Sequence, residues 1–135
     1  MSMTSRFHKP YEEILGHPCD FRVRYRLYSQ EEGGRSQTPF QGIRWDFWYE
    51  NANHTMKGNF IIWPEFEDEN GDLILEADKH IPWSGTAKMW IIMDPLRKYH
   101  QERIKVGTKG YFFEAGRISD CEIIEINSLM TNPTI

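Results

Sequence analysis

The sequence has only two cysteines, Cys19 and Cys121, and they form no C-x-x-C pair. That excludes a zinc ribbon, a dithiol redox motif and a disulfide framework. Two thiols in a chain able to build its own core read as reduced and cytosolic, although one bridge is open to them if their strands are neighbours. No segment approaches the ~20 consecutive apolar residues of a membrane span. Arg6, His8 and Lys9 are followed by no apolar run, so a secretory signal is not expected. No G-x-x-x-x-G-K-[ST] is present, which removes the phosphate cradle of a nucleotide enzyme. There is no H-E-x-x-H and no G-x-S-x-G, and the histidines (His8, His17, His54, His80 and His100) are scattered. No metal, no cofactor and no catalytic residue is expected, and the chain does not read as an enzyme. Positive charge is also short. Sixteen lysines and arginines against 20 acidic residues give a net charge of −4, against a bulk nucleic-acid binder but compatible with a local basic stripe.

What is abundant is aromatic and alternating. Aromatics make up 14% of 135 residues, within a hydrophobic content of 39%, enough for one domain with a real core. Residues 1–18, with Pro10 and Pro18 around "YEEILGH", read as an arm with at most one helical turn. Residues 19–127 read as the folded domain and 128–135 as a tail. In "FRVRYRLY", Phe21, Val23, Tyr25 and Leu27 alternate with Arg22, Arg24 and Arg26, which predicts a strand with one buried face. "RWDFWYE" puts Trp45, Phe47 and Tyr49 on one side, and Asp46 and Trp48 on the other. Further strands are predicted at 58–63, 72–77, 87–93, 110–115 and 121–126, with Gly, Pro and Asn turn signals between them. "PLRKYHQERIKVG" has room for a helical turn but no sustained apolar period. This pattern predicts an all-β sandwich or barrel.

The stretch "EEGGRSQTPFQGIRWDFWYE" (31–50) combines an acidic-Gly-Gly-Arg turn (Glu32, Gly33, Gly34, Arg35), a Thr-Pro-Phe step (Thr38, Pro39, Phe40), Gly42 and an aromatic return strand from Arg44 to Tyr49. It resembles the first hairpin of the third domain of elongation factor Tu, the C-terminal β-barrel of that translational GTPase. "IPWSGTAKMWII", "MDPLRK" and "GYFFEAGRISDCEIIEI" resemble later segments of the same domain in the same order, so the likeness runs from Cys19 to Asn127. The resemblance implies a single antiparallel Greek-key barrel. "FIIWPEFEDENGDLILEADKH" is longer than its counterpart and implies an extra hairpin, and Trp45-Asp46 stands where the family has Pro-Gln. The GTPase domain and second barrel have no counterpart here.

Without a motor, such a barrel is expected to work as a non-catalytic binding module with no nucleotide and no membrane. The resemblance places Arg44, Trp45 and Asp46 on the side that meets a protein partner, translation-related or toxin-type. Trp48 and Trp90 join that patch if they point outward; the alternative is that the extra hairpin covers them. The other reading is tRNA or structured RNA. The family touches RNA beside the turn that here holds Gly116 and Arg117. Arg22, Arg24 and Arg26, about 6.6 Å apart along one strand face, suit a phosphate backbone. The other reading of these arginines is cross-strand pairing with Glu122 and Glu125 of the last strand, which the resemblance places near the first. Glu65, Glu67, Asp68 and Glu69 read as one solvated acidic loop. Gly33, Gly34, Arg35 and Pro39 read as the turn that defines the fold.

Overall fold

The computed structural model describes residues 7–52 and 61–133. The predicted turn at Asn53 and His54 and the start of the strand predicted at 58–63 lie outside the described residues, as do Met1–Arg6 and the last two residues of the tail.

Alternation in the sequence becomes a two-faced sheet. Strand β1 (Phe21–Leu27) buries Phe21, Val23, Tyr25 and Leu27 and turns its three arginines outward. The others are β2 (Asp46–Tyr49), β3 (Ile62–Phe66), β4 (Ser84–Ile91), β5 (Lys109–Phe113) and β6 (Ser119–Ile126). They form one six-stranded antiparallel sheet in the order β2-β5-β6-β1-β4-β3. The sheet curls into a half-barrel, so the inward residues of all strands converge. Tyr25 meets Phe66 edge-on at 5.1 Å, Trp45 stacks on Phe112 at 5.4 Å, and Phe21 lies 5.8 Å from Phe47. Each such ring contributes roughly 1.5–3 kcal/mol by leaving water. Cys121 faces this core, and Cys19 is buried in front of β1; both are free thiols.

Two short helices flank the sheet. Helix α1 (Tyr11–Leu15) is the one turn expected in the arm and stops at Gly16, whose φ of 76° is left-handed. Helix α2 (Arg97–Arg103) follows a 3-10 turn at Asp94–Leu96 and plugs the end of the barrel at which β1 begins. Its buried side is polar rather than apolar, which is why no hydrophobic period announced it. Arg97 pairs with Asp20, and His100 Nδ1 lies 2.7 Å from the Tyr49 hydroxyl. No helix among the described residues is long and apolar enough to cross a membrane.

Three expectations are corrected. The stretch 31–50 is not a hairpin, because β1 pairs with β4 and β6 while β2 pairs with β5. The intervening chain instead crosses the opposite end of the barrel. Gly33 takes its left-handed corner at φ 99°, and a Cβ on Gly34 would sit 2.1 Å from the Tyr28 carbonyl oxygen. Residues 72–77 do not form a strand. They make only isolated bridges, Glu67 to Leu73 and Glu76 to Phe7, while Asp68 Oδ1 accepts from the amides of Asn70 and Asp72 to tie the turn. Glu65 and Glu67 are not in a solvated loop: both are buried, Glu65 on β3 and Glu67 just after it.

Candidate binding surfaces

The arginine row forms the cross-strand ladder that its alternation allows. Arg22 donates to Glu67 at 2.7 Å and to Glu125 at 3.1 Å; Arg26 donates to Glu32 at 3.0 Å and to Asp120 at 3.2 Å. Arg117 donates to Asp120 at 2.7 Å and lies over the Tyr111 ring, and Lys109 pairs with Glu122 at 3.1 Å. The Tyr28 hydroxyl, then Arg117 and Arg26, hold the Asp120 carboxyl below its usual range. Arg24 stands in register between Thr86 and Glu122 and makes no ion pair among the described residues. It lines a shallow groove of about 490 Å³ with Arg26, Ser84, Thr86, Lys109 and Glu122.

A second surface is the barrel end opposite α2, where β1, β3 and β5 finish. Residues that the sequence placed in two separate candidate sites come together here. Asp46 opens β2 opposite Phe113 of β5, and Phe113 bridges to Arg117 across the turn containing Gly116. Arg35, in the crossing segment, reaches Glu114 of that turn at 3.2 Å. Asp46 itself is half-buried, and desolvation pushes its carboxyl above the usual range. Beneath the rim, a cavity of about 10 Å³ is lined by Leu27, Tyr28, Arg35, Gln37, Trp45 and Trp83. Trp45 is a core residue, not a surface contact. Its side chain enters the barrel by continuing the alternation of β2 one residue back, and its indole N–H has no acceptor among the described residues. Beyond Arg35 and Gln37 a wider cleft of about 480 Å³ runs past Pro39, Phe40 and His80.

Sequence reasoning missed three aromatics at this end. Phe40 is 45% exposed, Trp83 44% and Phe113 42%. Two left a signal. Trp83 sits in a Pro-Trp-Ser-Gly turn, where no strand period gives it a place in the core. Phe113 follows Phe112, and adjacent strand residues face opposite ways, so one of the two rings must point out.

Trp90 is the clearest correction. It does point out of the barrel, but it is fully buried, and the cover is the N-terminal arm rather than a hairpin. Tyr11 packs edge-on against Trp90 at 6.0 Å and beside Trp63 at 6.1 Å. Under the arm, Glu65 accepts three hydrogen bonds: from His8 Nε2 at 2.5 Å, from the Tyr11 amide at 2.9 Å and from Trp90 Nε1 at 3.1 Å. Arg44 is exposed and lies 4.5 Å above the Trp63 ring, at the border of this patch. Trp48 is half-buried on the outer face of β2.

Among the described residues, no cluster of three or more His, Cys, Asp or Glu side chains is placed to hold a metal ion. His100 is buried, and its pKa is lowered to about 4, first by desolvation and then by Arg97 and Arg103. Burial pushes both thiols up to about 12. No protein-family model matches the chain, and no curated protein matches it.

Proposed function

We propose that this chain is a non-catalytic binding module, built like the third domain of elongation factor Tu, that engages a protein partner, translation-related or toxin-type, through the barrel end opposite α2. One observation carries this reading. Phe40, Trp83 and Phe113 are all nearly half exposed at that end, with Arg35 and Arg117 among them. Aromatic rings and arginine are the side chains that dominate protein interfaces, because they bury large area at small cost in side-chain freedom. The turn at Gly116 and Arg117 and the start of β2, which the resemblance assigns to contacts, flank the same surface.

The arginine row supports a protein partner over RNA. Arg22, Arg26 and Arg117 already hold carboxylates, and a phosphate backbone would have to displace them. Among the described residues, Arg24 alone in that row holds no carboxylate, on a chain of net charge −4.

The test compares capture by wild-type protein with capture by Trp83→Ala and Phe40→Ala. Both variants should keep the fold and lose a specific partner at least ~10-fold, since interface aromatics are worth about 2 kcal/mol or more. Identical partners in all three, together with total-tRNA binding that falls steeply with salt, overturn the reading in favour of RNA.

A further inference from the structure

The outer face of β3 and β4 is built as a receptor for a short segment, and its present occupant is the chain's own arm. Its floor is Glu65, whose side chain is 1% exposed. A carboxylate at that depth is destabilising unless every approach to it is filled by a donor. Only Trp90 Nε1 belongs to the sheet. The other two donors, His8 Nε2 and the Tyr11 amide, arrive with the arm. The walls are Trp90 and Trp63, with Tyr11 inserted between them and Arg44 over the outer edge of Trp63. A lid serving stability alone would be closed more cheaply over an apolar residue. A buried carboxylate between two indoles instead selects what sits on it.

The arm's backbone is held at few points for so specific a seat. It contributes one helical turn and a two-residue backbone contact, in which the His8 amide donates to the Leu75 carbonyl at 2.7 Å. Its solvent side leaves Phe7 at 60% and Ile14 at 56% exposure beside the exposed Lys9, Glu12 and Glu13, which gives an incoming chain apolar points to grip. Gly16 and Pro18 lie between it and the anchored Asp20, and the Gly16 Cβ position is open space.

We infer that this face is a peptide-docking site held shut by the N-terminal arm, and that its partner is a protein segment carrying a cationic or N–H-donating side chain three residues ahead of an aromatic ring. That is the chemistry of His8 and Tyr11. The cation answers Glu65 and the ring enters between Trp63 and Trp90. This inference stands on a face separate from the barrel end, so neither depends on the other.

The experiment uses the full chain. The probe is a dye-labelled peptide, FHKPYEEILGHP, copying residues 7–18, with binding read by fluorescence anisotropy. The double variant His8→Ala/Tyr11→Ser frees the site; it should bind the peptide at least ~10-fold more tightly than wild type, whose own arm competes. A peptide with the same two substitutions should not bind, and one with Arg for His8 and Phe for Tyr11 should. Adding Trp63→Leu to the double variant should weaken binding at least ~5-fold. Equal binding by wild type and the double variant, or none by a double variant with native circular dichroism, overturns the inference. If the double variant does not fold, hydrogen exchange on wild type decides. Exchange of the Tyr11 amide and Trp90 Nε1–H together, at least ~100-fold faster than the slowest β1 amides, supports a releasable arm. Exchange at the global rate refutes it.

Discussion

Arg97 and Asp20, 77 residues apart in the chain, form an ion pair in which neither side chain touches solvent. Asp20 also accepts from Asn132 Nδ2 and from the Ile91 amide, both at 2.8 Å, so one carboxylate ties α2, β4 and the C-terminal segment together. Arg97→Met leaves that carboxylate without its cation and is expected to destabilise by about 3–5 kcal/mol. Urea unfolding checks it. A loss below about 1 kcal/mol would mean that Asp20 is satisfied without Arg97.

His100 predicts an acid-sensitive fold. Its pKa in the folded protein is about 4, below the ordinary value near 6.5, because burial and the flanking Arg97 and Arg103 disfavour its charge. A depressed folded pKa means that the unfolded chain takes up the proton first. The stability is therefore fully present above about pH 6.5 and is lost as pH falls towards 4, by on the order of 3 kcal/mol. Desolvation raises the Asp46 carboxyl, which acts in the opposite sense near the acid end of this window. The comparison with His100→Gln isolates the histidine: the variant should start lower at pH 7 and lose most of the slope between pH 6.5 and 4.5.

The β5–β6 turn holds Ala115 at φ 55°, the one non-glycine residue with positive φ among the described residues. A side chain there costs about 1 kcal/mol relative to glycine. Ala115→Gly should raise the thermal midpoint by a few degrees. Earlier on β5 itself, Gly110 is constrained by space. A Cβ there would lie 2.5 Å from the Trp48 carbonyl oxygen and 2.7 Å from the Phe47 ring. Gly110→Ala should cost roughly 2 kcal/mol or more, as overpacked cores do.

Both cysteines should be inert in the folded protein. They are buried, and desolvation raises each thiol to about 12. Ellman's reagent should label neither within minutes at pH 8 and both in 6 M guanidinium. Fast labelling of Cys19 alone would report opening of the arm that covers it.

The strands were legible because a half-buried strand must alternate, and that constraint is local. "FRVRYRL" declares both its faces, whereas "CEIIEI" brings Glu122 and Glu125 to the arginine side only through a bulge opposite Arg22 and Val23. Residues 72–77 misled, since an apolar run bounded by turns has the same composition whether or not a partner strand is available. Helix α2 stayed faint because its buried positions are Arg97 and His100, whose burial depends on Asp20 and Tyr49 from distant parts of the chain.

Periodicity by itself determined which side of β1 and β2 faces inward, from the 180° alternation of successive side chains. It could not say what lies on the outside, because that is settled by segments far away in sequence. Trp90 lies on the outer side of β4, yet only the folded arm decided that it would be dry. Glu65 looked solvated beside Glu67, Asp68 and Glu69 until His8 and Tyr11 closed over it. Local sterics set the direction of a side chain, whereas its solvation is set by whatever the rest of the chain brings near.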